Sequence, residues 1–233
     1  MLPLGFASGL PLALSGGTLQ LWFADLDIDV ATIGALTLVG VPYTLKFLWA
    51  PLLDRFVPPG GRRRGWLLIW QTVLALALAA MAFTSPVVSP LTMGLLAVML
   101  AFGSASQDIV FDAYRTDVLS PPERGLGVAL TVSGYRVAMV VSGGFAPMIA
   151  ERYGWRVAYL GMSALMFVGV VTSMWAPRAR AERPPQSIRE AFVEPFRELI
   201  SRKRWILPLA AIVLYKLGDA FAGTLTSAFL VKS

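Results

Sequence analysis

Long apolar stretches, separated by short polar connections, follow one another along almost the whole chain. A helix that crosses a lipid bilayer needs about 20 mostly apolar residues. The connections hold the prolines, glycines and charged residues that typically end helices. The pattern therefore predicts an all-α integral membrane protein with seven spans. The predicted spans cover residues 2–24, 31–53, 66–84, 91–119, 127–150, 155–176 and 205–230.

The longest connection, at residues 177–204, divides the chain into three predicted parts. The first part, residues 1–176, is a transmembrane half of six helices. The second part is the connection itself, which we predict to be a cytoplasmic linker that contains an amphipathic helix. The third part, residues 205–233, is one further transmembrane helix.

Two helix starts can be read from the spacing of serine and glutamate. Ser120 and Glu123 have the spacing of a capping box, which predicts the start of the fifth helix. Ser187 and Glu190 repeat this spacing inside the linker, and apolar residues recur there on one helical face. This favours a helix that lies on the inner membrane surface. The alternative is an irregular linker that is broken by Pro195.

Composition supports a membrane protein and excludes several functions. Apolar residues make up 56% of the 233 residues and charged residues 15%, whereas soluble domains carry about 25% charged residues. The chain has no cysteine and no histidine, which excludes disulfides, cysteine nucleophiles, Ser-His-Asp triads and histidine-bound zinc. We therefore predict no enzyme, no cofactor and no metal site.

The positive charge, +6 overall, is concentrated in alternate connections. Three of them, residues 54–65, 120–126 and 177–204, hold 13 of the 20 basic residues. Basic residues accumulate on the cytoplasmic side of membrane proteins. The bias predicts that these connections and the N-terminus are cytoplasmic. It also explains the positive net charge, so we predict no nucleic acid partner.

Charged residues also lie inside the predicted spans. A charge at the centre of a membrane helix costs about 2.5–3.5 kcal/mol on insertion scales, and such residues usually face a cavity or a partner. We take the acids as candidates for proton coupling, and most of the bases as candidates for binding an anionic substrate. The acids are Asp108, Asp112 and Asp219, and the bases are Lys46, Arg115, Arg136 and Lys216.

The fourth span carries a narrow polar stripe. Ser104, Asp108, Asp112 and Arg115 recur at helical spacing and share one face. Such a face can line a wet cavity, and Asp112 and Arg115 are close enough in sequence to pair. Asp108 then needs its own partner, which Lys46 or Arg136 could supply from another helix. The alternative is a neutral ion pair that only holds helices together.

Polar and amphipathic residues on the spans extend the candidate substrate site. Amide and phenol groups can bind a carbohydrate or a peptide, although such residues also serve as interfacial anchors or form hydrogen bonds between helices. These candidates are Gln20, Tyr43, Gln107, Tyr114 and Tyr135.

The connection after the second span contains Asp54-Arg55 followed by Arg62-Arg63-Arg64. This resembles the signature between the second and third helices of major facilitators, in which an acid and several arginines tie the connection to helix ends in one conformation. Ala50 departs from the signature, which usually starts with glycine. The resemblance implies that Asp54, Arg55, Arg62, Arg63 and Arg64 take part in conformational gating. Six spans, a long basic linker and a new span are also typical of one facilitator half followed by the start of the second.

Longer runs resemble the AmpG-type muropeptide permeases within that superfamily. The resemblance implies import of anhydro-muropeptides with protons, by alternating access, across the bacterial inner membrane during peptidoglycan recycling. It also implies that the chain is an incomplete permease whose partners include the missing helices of the second half. The runs are residues 5–14, 46–52, 62–68, 104–113, 116–119, 134–136 and 214–222.

Three other functions stay open from the sequence. Another facilitator could carry acetyl-CoA, a sugar or a drug. A membrane-embedded enzyme lacks a recognisable nucleophile constellation. A fragment without transport activity would have only a structural or regulatory role.

Overall fold

The computed structural model describes residues 1–179, 185 and 187–218, and the regular structure in this part of the chain is helical. Six helical segments are long and apolar enough to cross a membrane, which confirms the first six predicted spans. A shorter apolar helix, Ile206–Gly218, lies in the seventh predicted span, whose remainder falls outside the described residues. The six segments are Leu2–Asp25, Val30–Leu48, Arg64–Phe83, Pro90–Val118, Pro121–Tyr153 and Trp155–Trp175.

Several spans are built from more than one helix. Short 3-10 segments, Leu36–Gly40 and Lys46–Leu48, interrupt the second span, and a π-helical segment, Val141–Phe145, interrupts the fifth. The α-helices are α1 (Leu2–Ser15), α2 (Gly17–Asp25), α3 (Val30–Ala35), α4 (Val41–Leu45), α5 (Ala50–Arg55), α6 (Arg64–Phe83), α7 (Pro90–Val118), α8 (Arg124–Val140), α9 (Ala146–Tyr153), α10 (Trp155–Trp175), α11 (Ile188–Ser201) and α12 (Ile206–Gly218).

Helices α1 and α8 pack closely because glycines face each other's backbone. A Cβ added at Gly5 would lie 2.3 Å from the Thr131 carbonyl oxygen, and one at Gly134 would lie 2.2 Å from the Leu2 carbonyl oxygen. Glycine is therefore required at both positions for this approach, as is common between membrane helices. The contact fixes α1 in the middle of the bundle.

The apolar core has two parts. The larger part is formed by fully buried leucines and methionines of α1, α6, α7 and α10, among them Leu10, Leu78 and Met166. The smaller part lies where α5, α6 and α7 meet and contains Phe111 and Tyr114.

The predicted capping box at Ser120 and Glu123 is confirmed, because each side chain bonds the other residue's backbone N–H. In a second compact unit, residues 185–233, the Ser187 hydroxyl accepts a hydrogen bond from the Glu190 backbone N–H at 3.1 Å. Helix α11 starts there and continues through Pro195. Its position on the inner membrane surface stays a prediction, as do the three predicted parts of the chain.

Candidate functional site

Asp108 on α7 is the centre of a polar cluster in the first compact unit, residues 1–184. The Ser8 hydroxyl of α1 donates a hydrogen bond of 2.5 Å to Asp108 Oδ1. Lys46 Nζ, from the second span, lies 4.0 Å from Asp108 Oδ2, and the two side chains are 36% and 19% exposed. The predicted pairing of Asp108 with a basic residue of another helix is thus confirmed, and the partner is Lys46.

Several buried polar atoms of the second and fourth spans have no hydrogen-bond partner among the described residues. The Tyr43 hydroxyl lies near the side chains of Ser15 and Ser104. Within the described part of the chain, neither Tyr43 Oη nor Ser104 Oγ has a partner with hydrogen-bond geometry, and Gln107 Oε1 has none either. Buried polar groups are nearly always satisfied by protein, water or ligand. The cluster therefore has unused hydrogen-bonding capacity.

Helix α8 brings Tyr135 and Arg136 towards the same region. Tyr135 is partly buried and close enough to Asp108 and Arg136 for their charges to act on it. The Arg136 side chain is exposed. The Tyr135 phenol thus lies within the electrostatic range of the Asp108 carboxylate, and Arg136 is its neighbour on α8.

The exposed end of the polar stripe is already neutralised. Arg115 Nη2 lies 3.0 Å from Asp112 Oδ1, which confirms the predicted pair, and the Asp112 side chain is 58% exposed. Ser104, at the other end of the stripe, is buried. This helix face is therefore buried at Ser104, whose hydroxyl has no partner among the described residues, and exposed at Asp112, whose carboxylate is paired.

The remaining predicted residues lie elsewhere. Gln20 is partly buried on α2. The Tyr114 hydroxyl donates to the Pro177 carbonyl at 3.0 Å within the smaller core, so the structure does not bring it to the Asp108 cluster. Lys216 lies on α12 in the second compact unit, and Asp219 lies outside the described residues.

A second ionic cluster joins the ends of three helices. Arg63, the residue before α6, donates from Nη1 to Asp54 Oδ1 at 2.5 Å and from Nε to Asp117 Oδ2 at 2.7 Å. Asp54 lies at the end of α5 and Asp117 at the end of α7. Burial opposes the charge of Arg63, but the hydrogen bond to Asp117 and the charge of Asp54 raise the pKa of the guanidinium above its usual value.

The other predicted gating residues surround this bridge. Arg64 donates to the Met174 carbonyl and so reaches the end of α10. Arg55 is the last residue of α5, and Arg62 is partly buried beside Arg63. The cluster ties the connection to neighbouring helix ends, as the resemblance implied.

Sequence reasoning missed two residues of these clusters. Ser8 lies between apolar residues and glycines in the first span, and Asp117 lies at the end of the fourth. Each contacts a residue far away in the chain, Asp108 and Arg63 respectively. The only available signal was that both fall within runs that resemble the muropeptide permeases.

Comparison with known proteins assigns the fold. The family model described as Major Facilitator Superfamily matches residues 1–232. The chain belongs to the major facilitator superfamily. This facilitator chain is therefore an all-α, multi-pass membrane protein, and its resemblance to the muropeptide permeases is confirmed by its curated relatives.

The relatives are similar over nearly all of the facilitator chain. The Anhydromuropeptide permease of Escherichia coli (strain K12) is 51% identical over 235 residues, which cover 100% of this chain and 48% of the relative. An uncharacterized protein of Haemophilus influenzae is 38% identical over 97% of this chain and 55% of its own length. Putative transporter AmpG 4 of Rickettsia felis is 30% identical over 98% of this chain and 58% of its own length. The chain spans about half the length of the curated relatives it matches.

Proposed function

We propose that this chain is part of a secondary active transporter that imports anhydro-muropeptides together with protons for peptidoglycan recycling. The observation that carries this proposal is the 51% identity, over the whole chain, to a relative named Anhydromuropeptide permease. Transport proceeds by alternating access, and the helices of a second facilitator half are partners in it. The protein acts as a transporter and not as an enzyme.

The setting is the bacterial inner membrane, with the N-terminus in the cytoplasm. The basic connections support this orientation. Arg63 of the first basic connection bonds Asp117, which lies near the end of the helix that leads into the second. Arg63 and Asp117, which this orientation places on the cytoplasmic side, are thus close in space.

The Asp108 cluster supplies the chemistry. Asp108 takes up and releases the proton, and Lys46 binds a carboxylate of the substrate when it is not engaged by Asp108. The distance of 4.0 Å between Lys46 Nζ and Asp108 Oδ2 supports this, since it is short enough for an ion pair but too long for a direct hydrogen bond. Tyr43 and Gln107 each have a buried oxygen without a hydrogen-bond partner in the described part of the chain, and these atoms bind the substrate.

The other candidates keep the roles predicted from the sequence. The further proton-coupling candidates are Asp112 and Asp219, and the further substrate-binding candidates are Arg136, Lys216, Gln20, Tyr114 and Tyr135. The bridge around Arg63 holds one conformation of the transporter, and its opening accompanies the change of access. The gating candidates are Asp54, Arg55, Arg62, Arg63 and Arg64.

Uptake into proteoliposomes tests the proposal. Labelled anhydro-muropeptide is offered with and without an inward proton gradient, to the chain alone and to the chain joined to the part of the Escherichia coli relative that the alignment leaves out. We expect uptake by the joined protein only, and only with the gradient. Unlabelled anhydro-muropeptide should compete, whereas acetyl-CoA and simple sugars should not. Absence of gradient-driven uptake, or competition by those other cargoes alone, would overturn the proposal.

A further inference from the structure

The two oxygens of the Asp108 carboxylate have different partners. Oδ1 accepts the Ser8 hydroxyl at 2.5 Å, whereas Oδ2 faces Lys46 Nζ at 4.0 Å. The first distance is a short hydrogen bond, and the second is too long for one. One oxygen is therefore occupied by the protein, and the other is open to exchange a proton.

Ser8 is held in place by the packing of its own helix. It is only 5% exposed, and its neighbour Gly9 approaches α8 so closely that an added Cβ would lie 2.7 Å from the Tyr135 carbonyl oxygen. Gly5 makes a similar contact one turn earlier. A functional group is positioned best when a rigid shell fixes the residue that supports it. Ser8 has such a shell, and it belongs to α1 and α8.

Lys46 cannot give the same support. Its side chain is 36% exposed, and it lies in a 3-10 segment of an irregular span. The other titratable groups that face Asp108 are Asp112, which pairs with Arg115, and the uncharged phenols of Tyr43 and Tyr135. The orientation of the carboxylate therefore depends on Ser8.

We infer that Ser8 is a positioning residue that fixes Asp108 Oδ1, so that proton uptake occurs on Oδ2 and releases Lys46. Deprotonation of Oδ2 restores the charge that attracts Lys46. This inference rests on the proposed proton-coupled transport. In this mechanism the Ser8 hydroxyl contacts neither the substrate nor the transferred proton. Its hydrogen bond to Oδ1 determines that the proton binds to Oδ2.

Transport measurements separate positioning from a structural role. Ser8→Ala in the joined protein should lower gradient-driven uptake about tenfold, the equivalent of about 1.4 kcal/mol and close to the loss of one hydrogen bond to a charged group. Exchange of labelled for unlabelled substrate at equal pH should stay near the wild-type rate, because it needs no net proton release. Ser8→Thr keeps the hydroxyl and should restore uptake.

Ser163 provides a matched control. Its buried hydroxyl donates to the Ala75 carbonyl of a neighbouring helix at 2.7 Å. Ser163→Ala also removes one buried hydrogen bond between helices, but it should affect uptake and exchange alike. If Ser8→Ala lowers both activities in equal proportion, or neither of them, the positioning role is overturned.

Infrared difference spectroscopy on the purified chain tests the contact without substrate. The C=O stretch of protonated Asp108 is identified by its loss in Asp108→Asn. In Ser8→Ala this band should move to higher frequency, because the C=O group loses its hydrogen bond, and in Ser163→Ala it should not move. A band that stays in place overturns the inference. If wild-type uptake is absent but the band moves, the proposed function fails while the Ser8–Asp108 contact stands.

Discussion

The two ionic clusters of this chain differ in how completely their charges are satisfied. Around Arg63, a buried guanidinium bonds two carboxylates at 2.5 and 2.7 Å. Around Asp108, the carboxylate has one hydroxyl donor and a cation at 4.0 Å, and the nearby Tyr43 hydroxyl has no partner among the described residues. The first arrangement is suited to holding helix ends together. The second leaves capacity for a proton and a ligand.

The largest effect is expected from Asp108→Asn, which should abolish gradient-driven uptake while changing the free energy of unfolding little. The amide keeps the volume and can still accept from Ser8, but it cannot carry a proton in exchange. Proteoliposome uptake and a denaturant titration of the same sample check both parts. Glu151→Gln, an exposed acid far along the chain, serves as the control. If Asp108→Asn retains uptake, the Asp108 cluster is not the proton-coupling site.

Arg63→Ala should have the largest effect on stability. It leaves Asp54 and Asp117 without their common partner, and removing one member of a buried ion pair costs about 3–5 kcal/mol. Arg63→Lys should recover part of this loss, because it keeps the charge but not the two-pronged geometry. Unfolding by denaturant in mixed micelles measures the difference. A loss below about 1 kcal/mol, typical of surface pairs, would show that the bridge is not a structural tie.

Asp54→Asn should produce a smaller loss, because Asp117 still pairs with Arg63. The Asp54 side chain is 40% exposed, so solvent screens its charge and the expected cost is about 1 kcal/mol. Asp117→Asn should cost more, since that side chain is only 15% exposed. The same unfolding measurement ranks the two variants. The reverse order would contradict the larger contribution that we expect from the more buried carboxylate, Asp117.

The smallest change in stability is expected for Tyr43→Phe. Its hydroxyl is buried without a partner among the described residues, so its removal should alter the free energy of unfolding by no more than about 0.5 kcal/mol. Substrate affinity should nevertheless fall, which appears as a raised KM for uptake. A clear loss of stability with an unchanged KM would show that the hydroxyl has a structural partner.

Features that depend on one helix could be predicted from the sequence. The six spans, the capping box at Ser120 and the pair of Asp112 with Arg115 all follow from helical length and spacing. Helical geometry fixes which residues share a face, so no knowledge of packing is needed. For Asp108, spacing showed only that a partner was needed and left Lys46 and Arg136 as alternatives.

Features that depend on contacts between helices could not be predicted. Ser8 reaches Asp108 across 100 positions of sequence, and Asp117 reaches Arg63 across 54. Both contacts depend on how separate helices pack against each other, which periodicity does not reveal. Tyr114 was predicted as a substrate-binding candidate because it is a phenol on a span. In the structure its hydroxyl bonds the Pro177 carbonyl instead, a contact that the sequence could not distinguish from substrate binding.

The bridge around Arg63 also has a consequence for membrane insertion. Asp54 precedes Arg63 by nine positions and is made first, whereas Asp117 follows by 54 positions. At translation rates of about 5–20 residues per second, Asp117 is made roughly 3–11 s after Arg63. During that interval Asp54 is the only one of the two bridging carboxylates that the nascent chain contains. The bridge can therefore be completed only after the fourth span has been made.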